Sequence, residues 1–458
     1  MGPADTGVTV RNEVGGAALE GLAGAETAIG PIDPATSTPL LVPASRYRDP
    51  AFAAREVERM WPRVWQIACS TDHVAEPGDF FEYRVGPYSA VIVRDEQGTL
   101  RAYQNACRHR GTALCTGSGS GLTDLECPYH RWRWDLAGQL RAVPSRKGFG
   151  SFRFSDFPLT PVQVEQWGPL VWVNFDTSAG PLEDWLGPMS QETAWAAMDE
   201  WRCEYAVTTH VAANWKVITD GFSETYHIQG LHPEMLASVD DVHAPQVVWG
   251  PASRSVQQYG VPSPRFKDGR TDQQVWDSYI VTQGERMGIK ESCPVPEIPP
   301  HGSVQSVIAD LIRSHQAERG VDLSGYSDVQ VMSLEQYNVF PNCTILLSPD
   351  LLSVMVGRPG EGAEEGYFTL YNYRRAPSAD APRTKPVDVS LTTEQGKESA
   401  GLVIGQDLSV LERVQRGLRQ PGFTSVVLSQ EERRIINTHR MLEHYLDIEP
   451  SEMTGGPA

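Results

Sequence analysis

Apolar and polar positions change their period several times along the chain, and each change marks an element. Residues 1–44 have little periodicity and are rich in Gly, Ala, Pro and Thr, which predicts a loosely draped N-terminal arm. Asp49-Pro50 reads as a helix start, a capping carboxylate followed by Pro at the first helical position. Phe52, Val57, Met60 and Trp61 then share one helical face until Pro62 stops it. Beyond it the period falls to two. Phe81, Tyr83 and Val85 alternate, Val91-Ile92-Val93 is a buried-strand run, and Asp95-Glu96-Gln97-Gly98 is a hairpin turn. A second hairpin over Trp134–Leu140 and an apolar strand over Leu170–Phe175 complete a small all-β domain, residues 45–180.

Residues 181–458 mix the two periods. Glu204–Val211 alternates as a strand, and Asn214 caps a helix predicted to run to about Tyr226. Residues 233–333 are Pro- and Gly-punctuated and weakly periodic, the pattern of a lid or pocket wall. Strands resume at Asn338–Leu347, Leu351–Val356 and Tyr367–Tyr373, an expected antiparallel meander. Helices over Asp407–Leu418 and Ser429–Leu446 close the chain, the second opening with a Ser429/Glu432 capping box. The whole predicts an α+β protein.

Composition narrows the function. The chain has 458 residues with 39 Lys+Arg against 58 Asp+Glu, a formal charge of −19, which argues against nucleic acid or an anionic membrane as partner. No apolar run approaches the ~18–20 residues of a membrane helix, and no secretory signal pattern opens the chain, so a cytoplasmic protein is expected. Seven cysteines, an odd and sparse set, do not make a disulfide framework. Three of them, Cys107, Cys115 and Cys127, crowd together beside two histidines.

That crowding is chemical. Cys107-x-His109 and Cys127-x-x-His130 present two loops, each with one thiolate and one imidazole. Zinc fingers group Cys with Cys and His with His. Two mixed loops facing each other place both thiolates on one iron and both imidazoles on the other, the Rieske [2Fe–2S] arrangement. A zinc ribbon remains the alternative, and Cys115 falls outside the pattern as a packed side chain. A second constellation follows in Glu224-x-x-His227-x4-His232. On a helix, Glu224 and His227 share a face, Asp220 lies one turn earlier, and Gly230 lets His232 turn back. Two histidines and a carboxylate suit a mononuclear non-haem Fe(II) with positions open for O2; structural histidines are the bland alternative.

With both motifs in this order, the chain over residues 45–446 resembles the large (α) subunits of Rieske non-haem iron aromatic ring-hydroxylating oxygenases. The resemblance implies an N-terminal Rieske [2Fe–2S] domain, then a catalytic helix-grip domain with an antiparallel sheet. It implies a homotrimer, with a small β subunit possible, in which the cluster of one subunit feeds the iron of the next. Cys107, His109, Cys127 and His130 take the cluster-ligand positions, and His227 and His232 the iron-ligand positions. Glu224 takes the place of the carboxylate bridging His130 of one subunit to His227 of its neighbour, where the family mostly has Asp. The residue after the last cluster histidine, commonly Gly, is Arg131. The family's third iron ligand is an Asp in a D-x4-E-x2-Q helix, matched by Asp407 with Glu412 and Gln415; Asp380 is its rival.

The expected activity is that of a terminal oxygenase. NAD(P)H supplies electrons indirectly through a reductase or ferredoxin, since the chain has no nicotinamide fingerprint. O2 is the co-substrate and an aromatic or similar hydrophobic molecule the substrate. Cis-dihydroxylation is favoured over monooxygenation or oxidative demethylation. A bare electron carrier would need only the first constellation, and a zinc hydrolase only the second. Residues 101–147 carry eight basic against three acidic residues, a local +5 that either pairs internally or steers an acidic ferredoxin.

Overall fold

The computed structural model of the protein describes residues 39–449. Most of the expected arm, residues 1–38, lies outside them. Its last residues do not drape loosely. Leu40–Pro43 pairs antiparallel with Ser425–Leu428, and Leu40, Val42 and Ala44 pack with Val217, Leu411 and Ile435. Four residues are too few to show a period, so this strand was invisible in the sequence.

The helix Pro50–Arg59 forms as its cap predicts, the Asp49 carboxylate accepting from Ala51 N at 2.8 Å. Three small sheets follow. One joins Phe80–Val85, Tyr88–Arg94, Leu100–Gln104 and Ser118–Gly119; the second joins Leu125–Glu126, Arg133–Trp134 and Leu140–Ala142; the third joins Gln163–Trp167, Leu170–Asn174 and Gln66–Ser70. Two loops leave these sheets side by side, after Leu100–Gln104 and between Leu125–Glu126 and Arg133–Trp134, and they carry the Cys/His pairs.

The second part is built on a nine-stranded sheet. Its centre is an antiparallel run of Ala252–Tyr259, Ser333–Val339, Cys343–Ser348, Leu351–Pro359, Gly366–Arg375 and Trp201–Val211. Val387–Leu391 adds in parallel at the end. The middle strands form the expected meander, but the expected strand Asn338–Leu347 is two, Ser333–Val339 and Cys343–Ser348, which pair across a turn at residues 340–342. One face packs on Trp201, Trp249, Tyr337 and Val354. The other receives the site-bearing segments Trp215–Gly221 and Leu402–Leu418. The weakly periodic stretch 233–333 holds the helices Asp272–Gln283 and Val304–Glu318, whose apolar sides make a core of their own with Met235 and Leu334.

The two parts share buried ion pairs. Glu56, from the first helix, takes Lys216 Nζ at 2.5 Å and Trp215 Nε1 at 3.0 Å, with both charged side chains nearly inaccessible. Asp72 accepts from Cys203 N at 2.6 Å and pairs with Arg383. Breaking one partner of such a pair leaves a buried charge, so the seam holds the two parts in one arrangement. Among the described residues, no helix is long and apolar enough to cross a membrane.

Candidate metal centres

Tight turns shape both cysteine loops. Gly111 N donates to Cys107 O at 2.9 Å, and Arg131 N to Cys127 O at 3.0 Å. Gly111 and Arg131 both take the left-handed region, at φ 79° and 62°. That conformation explains why a glycine suits the position of Arg131; the side chain there costs about 1–2 kcal/mol. The guanidinium reaches back to Glu126 at 2.7 Å. Cys107 and Cys127 are buried, and burial followed by the nearby Cys127 pushes the Cys107 thiol up. His109 and His130 lie with ring centroids 4.8 Å apart, and His109 stacks on Trp132 at 5.0 Å. His109 Nδ1 is buried without a hydrogen-bond partner. Two thiols, two imidazoles and an orphaned ring nitrogen in one spot fit a Rieske cluster. Cys115 stands apart, its backbone carbonyl accepting from Asn105 Nδ2.

The tip is open to solvent. Tyr129, 58% exposed, lies against His130 with centroids 3.7 Å apart. Arg110 stacks over Tyr129 and donates to His130 Nε2 at 2.7 Å. The sequence pattern held no sign of this contact. Most other basic residues of the segment pair locally: Arg101 with Asp95, Arg131 and Arg133 with Glu126, Arg141 with Asp135.

The second centre draws on three segments. Asn214 caps its helix by accepting from Lys216 N, but the helix stops at Gly221 rather than near Tyr226. Ser223 N and Phe222 N turn back on Asp220 O and Thr219 O, so Glu224 and His227 do not ride one continuous helix. They meet through hydrogen bonds instead. Glu224 Oε2 accepts from His227 N at 2.9 Å and Oε1 faces His227 Nδ1 at 2.6 Å. A short helix, Ile228–Leu231, contains Gly230 and delivers His232 at its end. Asp407 comes from the helix Leu402–Leu418, which begins five residues before the expected start, so Asp407 sits in its second turn, not at its tip.

His227, His232 and Asp407 each offer one atom, and all lie within 4.8 Å of one another. His232 Nε2 is 2.9 Å and His227 Nε2 3.6 Å from Asp407 Oδ1. Burial pulls the His227 pKa down, but the Glu224 hydrogen bond and charge, joined by Asp407, outweigh it and hold it raised. The donor set, two imidazoles and one carboxylate converging from one side, fits a mononuclear iron. Gln406, unrecognised in the sequence, faces His232 Nδ1 with Oε1 at 2.7 Å and so aims Nε2 at the centre. Its only signal was adjacency to Asp407. Asp380 does not join this group; its loop serves Arg202, which bonds the Ala379 and Ala381 carbonyls.

Two cavities flank these ligands. A larger one, about 260 Å³, is lined by Asp220, Glu224 and Glu432 among apolar side chains. Asp220 lines this cavity with Glu224, though not from the shared helix expected, and its partner is Tyr47, whose hydroxyl donates at 2.8 Å. The smaller, about 90 Å³, lies between His227, His232 and Asp407 and the sheet.

Comparison with known proteins follows the same division. Residues 64–158 match the Rieske [2Fe-2S] domain, and residues 198–448 match the ring hydroxylating alpha subunit (catalytic domain). Over 208 residues the chain is 28% identical to the glycine betaine monooxygenase oxygenase subunit of Pseudomonas aeruginosa, covering 45% of this chain and 48% of that one. It is 30% identical to the chloroplastic choline monooxygenase of Atriplex hortensis over 220 residues, 46% of this chain and 49% of the relative. The chain thus spans about half the length of the curated relatives it matches. A solved quaternary ammonium Rieske monooxygenase shares the fold at TM-score 0.64 and 20% identity, over 89% of this chain and 95% of that one. Naphthalene 1,2-dioxygenase from Rhodococcus sp. does so at TM-score 0.59 and 19% identity, over 89% and 94%. With its catalytic domain matched over more than half the chain and a Rieske domain ahead of it, this protein belongs to the family of ring-hydroxylating oxygenase α subunits.

Proposed function

We propose that the protein is the terminal component of a multicomponent monooxygenase. It converts an organic substrate RH, O2, two electrons and two protons into ROH and water, with electrons from NAD(P)H arriving through a separate reductase or ferredoxin. The convergence of His227, His232 and Asp407 beside a mostly apolar cavity carries this reading. An iron held there supplies O2 activation, and a [2Fe–2S] cluster held by Cys107, His109, Cys127 and His130 supplies single electrons.

The chain's own groups do the rest. Glu224 orients His227 through two hydrogen bonds, and Gln406 orients His232. Met235, Leu334, Leu346 and Met355 line the cavity and exclude water from the reacting side. Within one chain, His130 contacts Arg110 while Glu224 contacts His227. The exposed His130 tip therefore suits delivery to Glu224 of a neighbouring copy, the contact that the proposed homotrimer requires.

Cis-dihydroxylation of an aromatic ring, the outcome favoured with the family resemblance, is the second reading. Monooxygenation has the better support. The relatives matched by sequence are named for monooxygenation of glycine betaine, choline and carnitine, whereas naphthalene 1,2-dioxygenase shares the fold alone. Turnover under 18O2 with purified redox components tests the choice. One labelled oxygen per product molecule is expected. Two would restore dihydroxylation, and zinc in place of iron would end the oxygenase reading.

A further inference from the structure

The smaller cavity carries one polar feature whose orientation is forced. The Phe222 carbonyl faces the sheet and takes Gln336 Nε2, Thr344 Oγ1 at 3.2 Å and Asn338 Nδ2 at 3.4 Å. A carbonyl only accepts, so Gln336 must present its amide nitrogen there and its amide oxygen on the other side. That oxygen receives Gln257 Nε2 at 3.3 Å. The relay ends at Gln257, a cavity-lining residue only 4% exposed, whose Oε1 takes no hydrogen bond from the described residues. The Gln257 amide thus leaves its oxygen, an acceptor, at a cavity it shares with the Thr225 and Tyr259 hydroxyls.

The charges around the cavity are already committed. Its two carboxylates are Glu224, with both oxygens on His227, and Asp407, facing His227 and His232. Two neutral imidazoles and one carboxylate leave a bound ferrous ion with a net positive charge. Arg434, 1% exposed, adds to that field; its Nε and one terminal nitrogen have no partner, and its charge opposes protonation of His227. A cation entering here meets two carboxylates already paired with histidines, and an anion meets the lone pairs of Gln257.

We propose that Gln257 Oε1 is the substrate's polar anchor, and that the substrate is a small, neutral, mostly apolar molecule donating one O–H or N–H hydrogen bond. This rests on the oxygenase reading of the site and narrows it away from quaternary ammonium compounds. An acceptor that the substrate must satisfy discriminates against analogues without the donor, because the Gln257 oxygen then loses its partner.

Three probes of similar shape separate the two requirements. They are 3,3-dimethylbutan-1-ol, its methyl ether, which lacks the donor, and choline, which adds the charge. Calorimetric binding to the full-length, iron-loaded protein should favour the alcohol about tenfold over each of the others. Gln257→Leu should erase the alcohol-over-ether preference, and Gln257→Glu should reverse the alcohol-over-choline preference. The glutamate variant keeps the shape of the side chain and carries the test if the leucine variant does not fold. Choline binding as tightly as the alcohol in the wild type, or an unchanged alcohol-to-ether ratio in Gln257→Leu, overturns the anchor. Iron content measured on the same samples keeps the two failures apart. Full iron with the wrong preference sinks only the anchor, whereas absent iron sinks the oxygenase reading beneath it.

Discussion

The loops of Cys107, His109, Cys127 and His130 and the pocket of His227, His232 and Asp407 both gather metal-binding side chains, but they differ in the edge they show to solvent. The first set comes from two neighbouring turns and ends in an exposed tip, with Tyr129 58% accessible beside His130. The second draws Asp407 across from a distant helix and closes His232 off entirely, at 0% exposure. The difference matches the work each must do. A centre that exchanges electrons with another molecule needs an edge within reach of it. A centre that activates O2 needs water kept out and its donors aimed by neighbours such as Gln406 and Glu224.

If the two regions are separate in this way, each should be removable without the other. Cys127→Ala should abolish the visible cluster spectrum and leave the mononuclear iron in place. His232→Ala and Asp407→Ala should lose that iron and all turnover yet keep the cluster spectrum. Metal analysis with absorbance on the same preparations reads both at once. Loss of both centres in either variant would mean that the regions fold as one metal-dependent unit.

A smaller effect is expected where the regions communicate. Glu224→Gln should leave both centres nearly full while slowing single-turnover oxidation of the cluster by about 10- to 100-fold, because the neutral amide loses its charge-assisted bond to His227. Cluster oxidation at wild-type speed would show that electrons take another route.

The smallest effect lies behind the buried centre. Glu335 neighbours Gln336 on one strand but points to the opposite face, where Tyr337 Oη donates to it at 2.6 Å and Arg254 and Glu192 stand nearby. Burial, aided by the Glu192 charge, raises its pKa from 4.5 to about 7 against the pull of Tyr337 and Arg254. The folded protein thus keeps this proton up to about pH 7, while the unfolded chain releases it near 4.5. Stability therefore falls as pH rises through that window, by about 3 kcal/mol. Glu335→Gln removes this loss, so its Tm should exceed that of the wild type at pH 8 and match it near pH 4.5. Equal shifts at both pH values would place the proton elsewhere.

What could be read without the fold was what neighbouring residues settle among themselves. The Asp49 and Asn214 caps, the strands at Leu351–Val356 and Tyr367–Tyr373 and the two mixed Cys/His turns depend on a few residues of backbone, so their signals are local. Even there, the helix from Asn214 broke at Gly221, because Ser223 and Phe222 turn back on it to carry Glu224 toward His227. Family resemblance supplied Asp407 from its motif, but the contact with His232, 175 residues away, exists only because the helix Leu402–Leu418 packs over the segment Trp215–Gly221. Gln257 carried no sequence signal, Gln406 only its adjacency to Asp407, and Arg110 only its place in a basic segment, with nothing to tie it to His130. Their roles are set by which partner stands within about 3 Å, and for Gln257 by a carbonyl that can only accept. Such directions arise from packing between segments remote in the chain, which no period or spacing encodes.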